Sequence, residues 1–329
     1  MQPTPGDVHV NTPLTNISIA FLQSADDFVA ARVFPNIPVS KQSDRYYVYN
    51  RGDFNRDEMA ERAPGTESEG SGYTLDNTPT YFARRFSIHK DIPDEVRANA
   101  DAALNPDREA TAFVTHKALI RREKNFAANF FTTGKWSTDF TGVASGPTGN
   151  QFLQWNDAAS NPIEDIRKGK RKVRESTGRE PNKLVLGRPV YDALLDHPDV
   201  IDRIKYGQTA GSPAMASNRL LAQLFEVDEV LVMNAIENTA KEGQTAAHSF
   251  IGGRRALLCH SATAPGLMTP TAGYTFSWTG LLGAGAEGNR IKTFRIEEKG
   301  VDRVELDMCW DQKLVANDLG YFFEAAVAP

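Results

Sequence analysis

The chain has 329 residues, with 37 Lys and Arg against 42 Asp and Glu, a formal charge of -5, and 40% hydrophobic residues. The length leaves room for about two compact units of ordinary size, and the balance excludes a disordered polyelectrolyte, a collagen-like chain and a protein that grips nucleic acid through a broadly basic surface. The two cysteines, Cys259 and Cys309, lie far apart in no metal-binding spacing, so neither a disulfide framework nor a structural zinc site is indicated, and the chain reads as one that folds in a reducing cytoplasm.

No apolar run approaches the ~18 residues of a membrane span, and the start, MQPTPGDVHVNTPLTN, shows neither a basic leader nor an apolar signal core. Met1 to Asn16 carries three prolines and no periodicity, and reads as an extended arm that needs a partner surface. Ile19, Phe21, Leu22, Phe28, Val29, Val33 and Phe34 predict a short amphipathic helix that Pro35 and Pro38 stop.

From Gln42 to His89, two aromatic strand-like runs (Tyr46 to Tyr49 and Tyr81 to Ile88) bracket a polar, glycine-rich middle. The pattern predicts a long hairpin whose middle is too polar to fold alone and therefore projects. Asn105-Pro106-Asp107 is a strong helix start, with Asn as the cap and Pro at the first helical position. The helix should run to about Phe131, roughly 39 Å, with an apolar stripe of Ala112 and Phe113, Leu119 and Ile120, Phe126 and Ala127.

Gly134 to Gln151 reads as a loop. Beyond it, helix and strand alternate: Pro162 to Ser176 helical, Lys183 to Gly187 a buried strand, Pro189 to His197 helical, a helix capped by Ser217, then strands at Val230 to Met233 and Phe250 to Cys259. This is an α/β layer pattern. Strands at Tyr274 to Trp278, Ile291 to Glu297, Val301 to Trp310 and Tyr321 to Ala325 read as a closing antiparallel sheet, which would join the long helix with the α/β unit inserted between them.

The search for chemistry gives no enzyme. Gly283 to Gly288 fits GxGxxG, but the following Arg290 to Glu297 reads as strand where a dinucleotide site needs a helix. The six histidines form no metal-ligand pair, and Cys259 and His260, adjacent on a strand, point to opposite faces. The basic run from Arg167 to Arg179 is weighed as a phosphate contact and as the solvated side of a helix buried through Ile163, Ile166 and Val173; the second reading is preferred. Arg51-Gly52-Asp53 is taken as a polar turn.

What remains is architectural, and the residues carry a resemblance. RRFSIHKDIPDEVRANADAALNPDREATAFVTHKALIRREKNFAANFF (Arg84 to Phe131) resembles the loop-to-spine-helix segment of tailed-phage major capsid proteins. Phe28 to Pro64 is similar to the arm and extended loop of that group, KLVLGRPVYDALLDHPDVIDRIKY (Lys183 to Tyr206) to its axial domain, and Gly273 to Phe323 to its final peripheral strands. The resemblance covers nearly the whole chain.

It implies an α+β chain with the fold shared by tailed-phage and herpesvirus capsids, the Hong Kong 97 type: an N-terminal arm (1–41), an extended β-hairpin loop (42–90), a peripheral domain with the spine helix (91–158), an inserted α/β axial domain (159–270) and closing peripheral strands (271–329). It also implies a non-catalytic protein without cofactor or metal, assembling with itself as hexamers and pentamers into an icosahedral shell around double-stranded DNA, formed in the bacterial host cytoplasm and ending in the virion. Portal, scaffolding protein or protease, and decoration protein are the further partners implied. No charged helical leader precedes the arm, so a scaffolding segment would be absent, removed or supplied separately.

Some relatives cross-link subunits through a lysine of the extended loop. Here no lysine stands between Lys41 and Lys90, so the shell is expected to be held non-covalently, through the aromatic strands and the mixed charges Arg51, Asp53, Arg56, Asp57, Glu58, Glu61 and Arg62. With -5 per copy, the inner wall should contain DNA without gripping it. The alternative is a bacterial nanocompartment shell of encapsulin type, which encloses cargo enzymes.

Overall fold

A computed structural model describes residues 22–100, 104–207, 218–266, 268–281, 285 and 287–329. The Pro-rich arm, Ser217 and half of the GxGxxG segment lie outside the described residues. Two sheets organise the rest, and the long helix joins them.

The long helix runs Pro106–Asn129, roughly 36 Å. Asn105 caps it, its side chain accepting from the Arg108 amide at 3.0 Å, and the same Asn-Pro device opens Pro162–Thr177, where the Asn161 side chain accepts from Glu164 N at 3.0 Å. Of the expected stripe, Phe126 and Ala127 are buried and Leu119 and Ile120 pack partly against the same core, but its first pair is displaced. Ala110, Val114 and Ala118 face the sheet, while Phe113 is 40% exposed and carries Lys90 and Lys117 over its ring at 5.5 and 5.4 Å. Small residues at every fourth position let the helix lie close to the sheet, and cation–π contact gives the displaced phenyl ring a partner.

The sheet beneath is built on the 14-residue strand Val301–Leu314. Arg84–Pro93 zips along one edge of it; Asn289–Ile296 and then Gly273–Trp278 occupy the other. Asn36–Val39 adds a parallel edge strand next to Gly273–Trp278. Pro38 thus sits in a strand, which its edge position permits. Val304, Leu306, Met308 and Trp310 meet the long helix. On the opposite face, Asp307 is fully buried and accepts from Arg85 Nε at 2.9 Å, Ser87 Oγ at 2.5 Å and Arg290 Nε at 2.9 Å. Burial pushes this carboxyl up, but those three donors outweigh it and hold the pKa at about 2.

The second sheet has six strands in the order Glu229–Met233, Lys183–Gly187, Ala256–Cys259, Gly320–Glu324, Thr138–Val143, Gln151–Leu153. Two of these positions correct the sequence reading. The final strand joins this sheet, between Ala256–Cys259 and Thr138–Val143, and not the sheet of Val301–Leu314; and part of the expected Gly134 to Gln151 loop is strand. The reason is burial on both faces. Leu184, Leu186, Leu258, Tyr321 and Phe323 pack with the helices Pro162–Thr177, Arg188–Asp196 and Asn218–Phe225, whereas Val185, Leu257, Cys259 and Phe322 pack with Phe34, Phe126, Phe130 and Phe131. Strands apolar on both faces have neighbours on both edges as well, and flanking chain supplies them. The expected strand Phe250 to Cys259 is interrupted by a turn; Phe250 instead ends the short strand His248–Phe250, which pairs with Ile236–Asn238, and only Ala256–Cys259 is strand beyond the turn.

The segment before the first sheet packs on the long helix through Phe28 and Phe34 and is also clasped by a buried carboxylate. Glu123 is fully buried and accepts from Val29 N at 3.3 Å and Ala30 N at 2.9 Å, at the start of the short helix Ala30–Val33. Phe28, Val33 and Phe34 are buried as their pattern predicts.

Candidate assembly surface

The hairpin is present. Ser43–Arg45 pairs antiparallel with Thr80–Phe82, and Val48–Tyr49 with Leu75–Asp76. At its base, Tyr81 stacks on Phe276 with centroids 4.5 Å apart, and Tyr46 stacks on the same ring at 5.5 Å. Farther out, Arg51 makes a two-pronged bridge to Asp318, its Nη2 donating to Oδ1 at 3.1 Å, and its Nη1 donates to Ser176 O at 3.3 Å. Between these two fastenings lies a cleft of about 750 Å³, lined by Tyr46, Tyr49 and Phe54 of the hairpin and Met268, Tyr274 and Val315 of the body.

Arg51-Gly52-Asp53 opens a single helical turn, Arg51–Phe54, capped by Asn50, whose Oδ1 accepts from Gly52 N at 3.0 Å. Asp53 closes the tip loop: its Oδ2 accepts from Thr74 N at 2.8 Å and Thr74 Oγ1 at 2.7 Å, which hold its carboxyl below the usual range. Arg56 reaches Asp53 at 3.7 Å and Glu58 at 3.0 Å, and Glu58 also accepts from Ser71, with Ser71 first and Arg56 second lowering its pKa. Of the seven charged residues read from the sequence, Arg51, Asp53, Arg56 and Glu58 are thus tied within the chain. Asp57, Glu61 and Arg62 are exposed and, among the described residues, have no side-chain partner.

The aromatic part of this surface is equally open. Phe54 and Tyr73 stack at 5.5 Å, with Tyr49 beside both, yet Phe54 is 47% exposed, Tyr73 63%, and Met59 in the tip 95%. Phe54, Met59 and Tyr73 were legible as apolar residues stranded in a polar loop. Asp318 and Phe276, which fasten the hairpin, carry no local signal, since they lie more than 180 positions from it in sequence. Large apolar side chains left uncovered on a projecting element mark a contact surface.

Chemistry-bearing residues elsewhere serve the fold. Ser160 and His197 form a buried pair at 3.1 Å, but Ser160 Oγ donates to Asp157 O at 2.7 Å and Asp199 N donates to His197 Nδ1 at 3.2 Å. The imidazole proton therefore sits on Nε2 and points at the serine, the reverse of what a general base requires. Burial pushes the Cys259 thiol up to about 12, while His260 is turned outward to Glu180 O at 2.7 Å. No described helix is long and apolar enough to cross a membrane.

Comparison with known proteins agrees with this geometry. Residues 151–274 match the family model "Phage major capsid protein E". The chain is 28% identical to the major capsid protein of Pseudomonas phage JBD67, with 97% of each chain covered. It is 24% identical to that of Burkholderia phage BcepMu, with 95% of each covered. Among solved structures, it resembles the capsid of cyanophage P-SCSP1u (TM-score 0.63, 12% identity, covering 97% of this chain and 93% of that one). The SrpI encapsulin of Synechococcus elongatus shares the fold at TM-score 0.56 and 10% identity (96% and 92% covered). The chain therefore has the α+β fold of tailed-phage capsids and is, over nearly its whole length, a relative of phage major capsid proteins.

Proposed function

We infer that many copies of this chain assemble into the icosahedral shell of a tailed phage, as its major capsid protein. The observation that carries the reading is the hairpin: a well-packed body leaves the loop Asn55 to Thr74 and the side chains of Phe54, Met59 and Tyr73 uncovered. A monomer gains nothing from that exposure, whereas a shell covers it with neighbours.

The finer parts of the reading are proposals. The division into arm, extended loop (42–90), peripheral and axial parts follows the resemblance, and Asp57, Glu61 and Arg62 at the tip are taken as contacts to a neighbouring copy. Hexamers and pentamers are the capsomers, formed in the host cytoplasm around a portal with a scaffold or protease. The shell encloses double-stranded DNA without sequence-specific contact, because a chain of net charge -5 offers little counterion release.

Electron microscopy of the purified protein, with its solution mass, tests this. Closed shells or rings of five and six are expected; a monodisperse monomer at every salt concentration, with or without a scaffold, overturns it. A nanocompartment shell of encapsulin type is the second reading, because the fold is common to both. Particles that copurify with a cargo enzyme and no DNA would favour it.

A further inference from the structure

The surface carries two unpartnered patches of opposite charge. The first is the hairpin tip, Asn55 to Thr74, with five acidic residues (Asp57, Glu58, Glu61, Glu67 and Glu69) against Arg56 and Arg62. Glu58 is held by Ser71 and Arg56; Asp57, Glu61, Glu67 and Glu69 are exposed and meet no cation among the described residues.

The second patch lies on the helix Pro162–Thr177. Ile163, Ile166 and Val173 face the core, and Lys170 is turned inward, donating to Phe225 O at 3.2 Å and Glu226 O at 2.8 Å. On the outer side, Lys168 pairs with Glu164, Lys172 with Glu175, and Arg174 with Glu180. Arg167 and Arg171, one turn apart and exposed, have no side-chain partner among the described residues, and neither has Arg179 just beyond the helix. No aromatic side chain interrupts this face, which makes it a poor platform for nucleic-acid bases.

Within one copy the two patches make no ion pair among the described residues. Arg51 ties the hairpin to the C-terminal end of this helix through Ser176 O, and the tip beyond it is exposed with four of its acids free of cations among the described residues. We propose that the acidic tip of one copy docks on the Arg167–Arg171 face of an adjacent copy. This rests on the shell reading above. Opposite charge sets the register, and Met59, 95% exposed in the tip, supplies the apolar area that exposed ion pairs alone would lack.

The test uses the full chain assembled into particles. Glu61→Lys/Glu67→Lys/Glu69→Lys and Arg167→Glu/Arg171→Glu are each expected to lower the yield of particles about tenfold, and the five substitutions combined to restore it. The circular dichroism melt of the unassembled subunit should stay unchanged, since none of these side chains has a partner within the copy. Glu67→Cys with Arg171→Cys should give ladders between copies on a non-reducing gel, against a low background because Cys259 and Cys309 are buried.

Reversals that leave assembly intact, a combination that fails to restore it, or a disulfide formed only within one copy overturn the proposal. So does an Arg167→Glu/Arg171→Glu shell that forms normally but retains less DNA, which would make the face a genome contact. Wild-type protein that forms no shell overturns the reading beneath as well, so the two failures are distinguishable.

Discussion

Arg51 and Asp318, 267 positions apart, form a two-pronged bridge that fastens the projecting hairpin to the body. Each is about a third exposed, so the bridge does little for global stability and much for where the hairpin rests. Asp318→Asn is expected to shift the unfolding free energy by less than about 1 kcal/mol. It should also raise, several-fold, hydrogen exchange at the Tyr46 and Asn50 amides, which bond to Pro79 O and Thr74 O across the hairpin. Unchanged exchange at both amides would show that the bridge holds nothing.

Glu123 makes stability depend on pH near neutrality. Burial raises its carboxyl to about 7, only partly offset by the amides of Ala30 and Val29. A carboxyl that binds its proton more tightly when folded adds stability below its unfolded pKa of about 4.5, and that stability is lost as pH rises through 7. Denaturant midpoints should therefore fall between pH 5 and 8, by on the order of 3 kcal/mol for the whole shift. Glu123→Gln should flatten the slope; an unaltered slope would assign the dependence elsewhere.

Asp307 acts with the opposite sign. Its pKa of about 2 means that its contribution is present above about 3.8 and disappears as pH falls towards 2. Asp307→Asn leaves Arg85 and Arg290 facing a neutral group, and should cost about 2 kcal/mol or more at pH 7. An acid-induced transition that begins at the same pH in wild type and variant would contradict this.

Gly187 ends a strand of the six-stranded sheet where a Cβ would stand 2.0 Å from Gly253 O. A backbone oxygen cannot rotate away as a side chain can. Gly187→Ala is expected to destabilise the subunit by about 3 kcal/mol, read from the denaturant midpoint; a loss of a few tenths would mean that the turn at Gly253 yields freely.

The hairpin contains no lysine between Lys41 and Lys90. Shells should therefore dissociate to a single band near 36.3 kDa in hot SDS. High-mass ladders that survive would reveal a covalent bond made by other residues.

Much of this was legible along the chain because it depends on neighbours in sequence. An Asn-Pro cap announced the helix Pro106–Asn129, a short apolar run marked Lys183–Gly187, the pattern from Val301 to Trp310 marked most of Val301–Leu314, and a polar, glycine-rich stretch between aromatic runs marked the hairpin. The charged tip residues were visible too, because residues that cannot fold alone must project.

Tertiary structure decided what depends on partners far away. Gly320–Glu324 reads as an ordinary strand, and only the open edges of Ala256–Cys259 and Thr138–Val143, which it fills from both sides, draw it into the six-stranded sheet. Only the first half of the long helix's stripe was misread, because Phe113 is apolar by composition but outward by geometry, while Ala110 and Ala118 are buried for their smallness; Phe126 and Ala127 are buried as expected. Glu123 looked like one more charge on a charged rod. It became a buried clasp because the amides at Val29 and Ala30 come to rest against it, and unpaired amides in a core must find an acceptor.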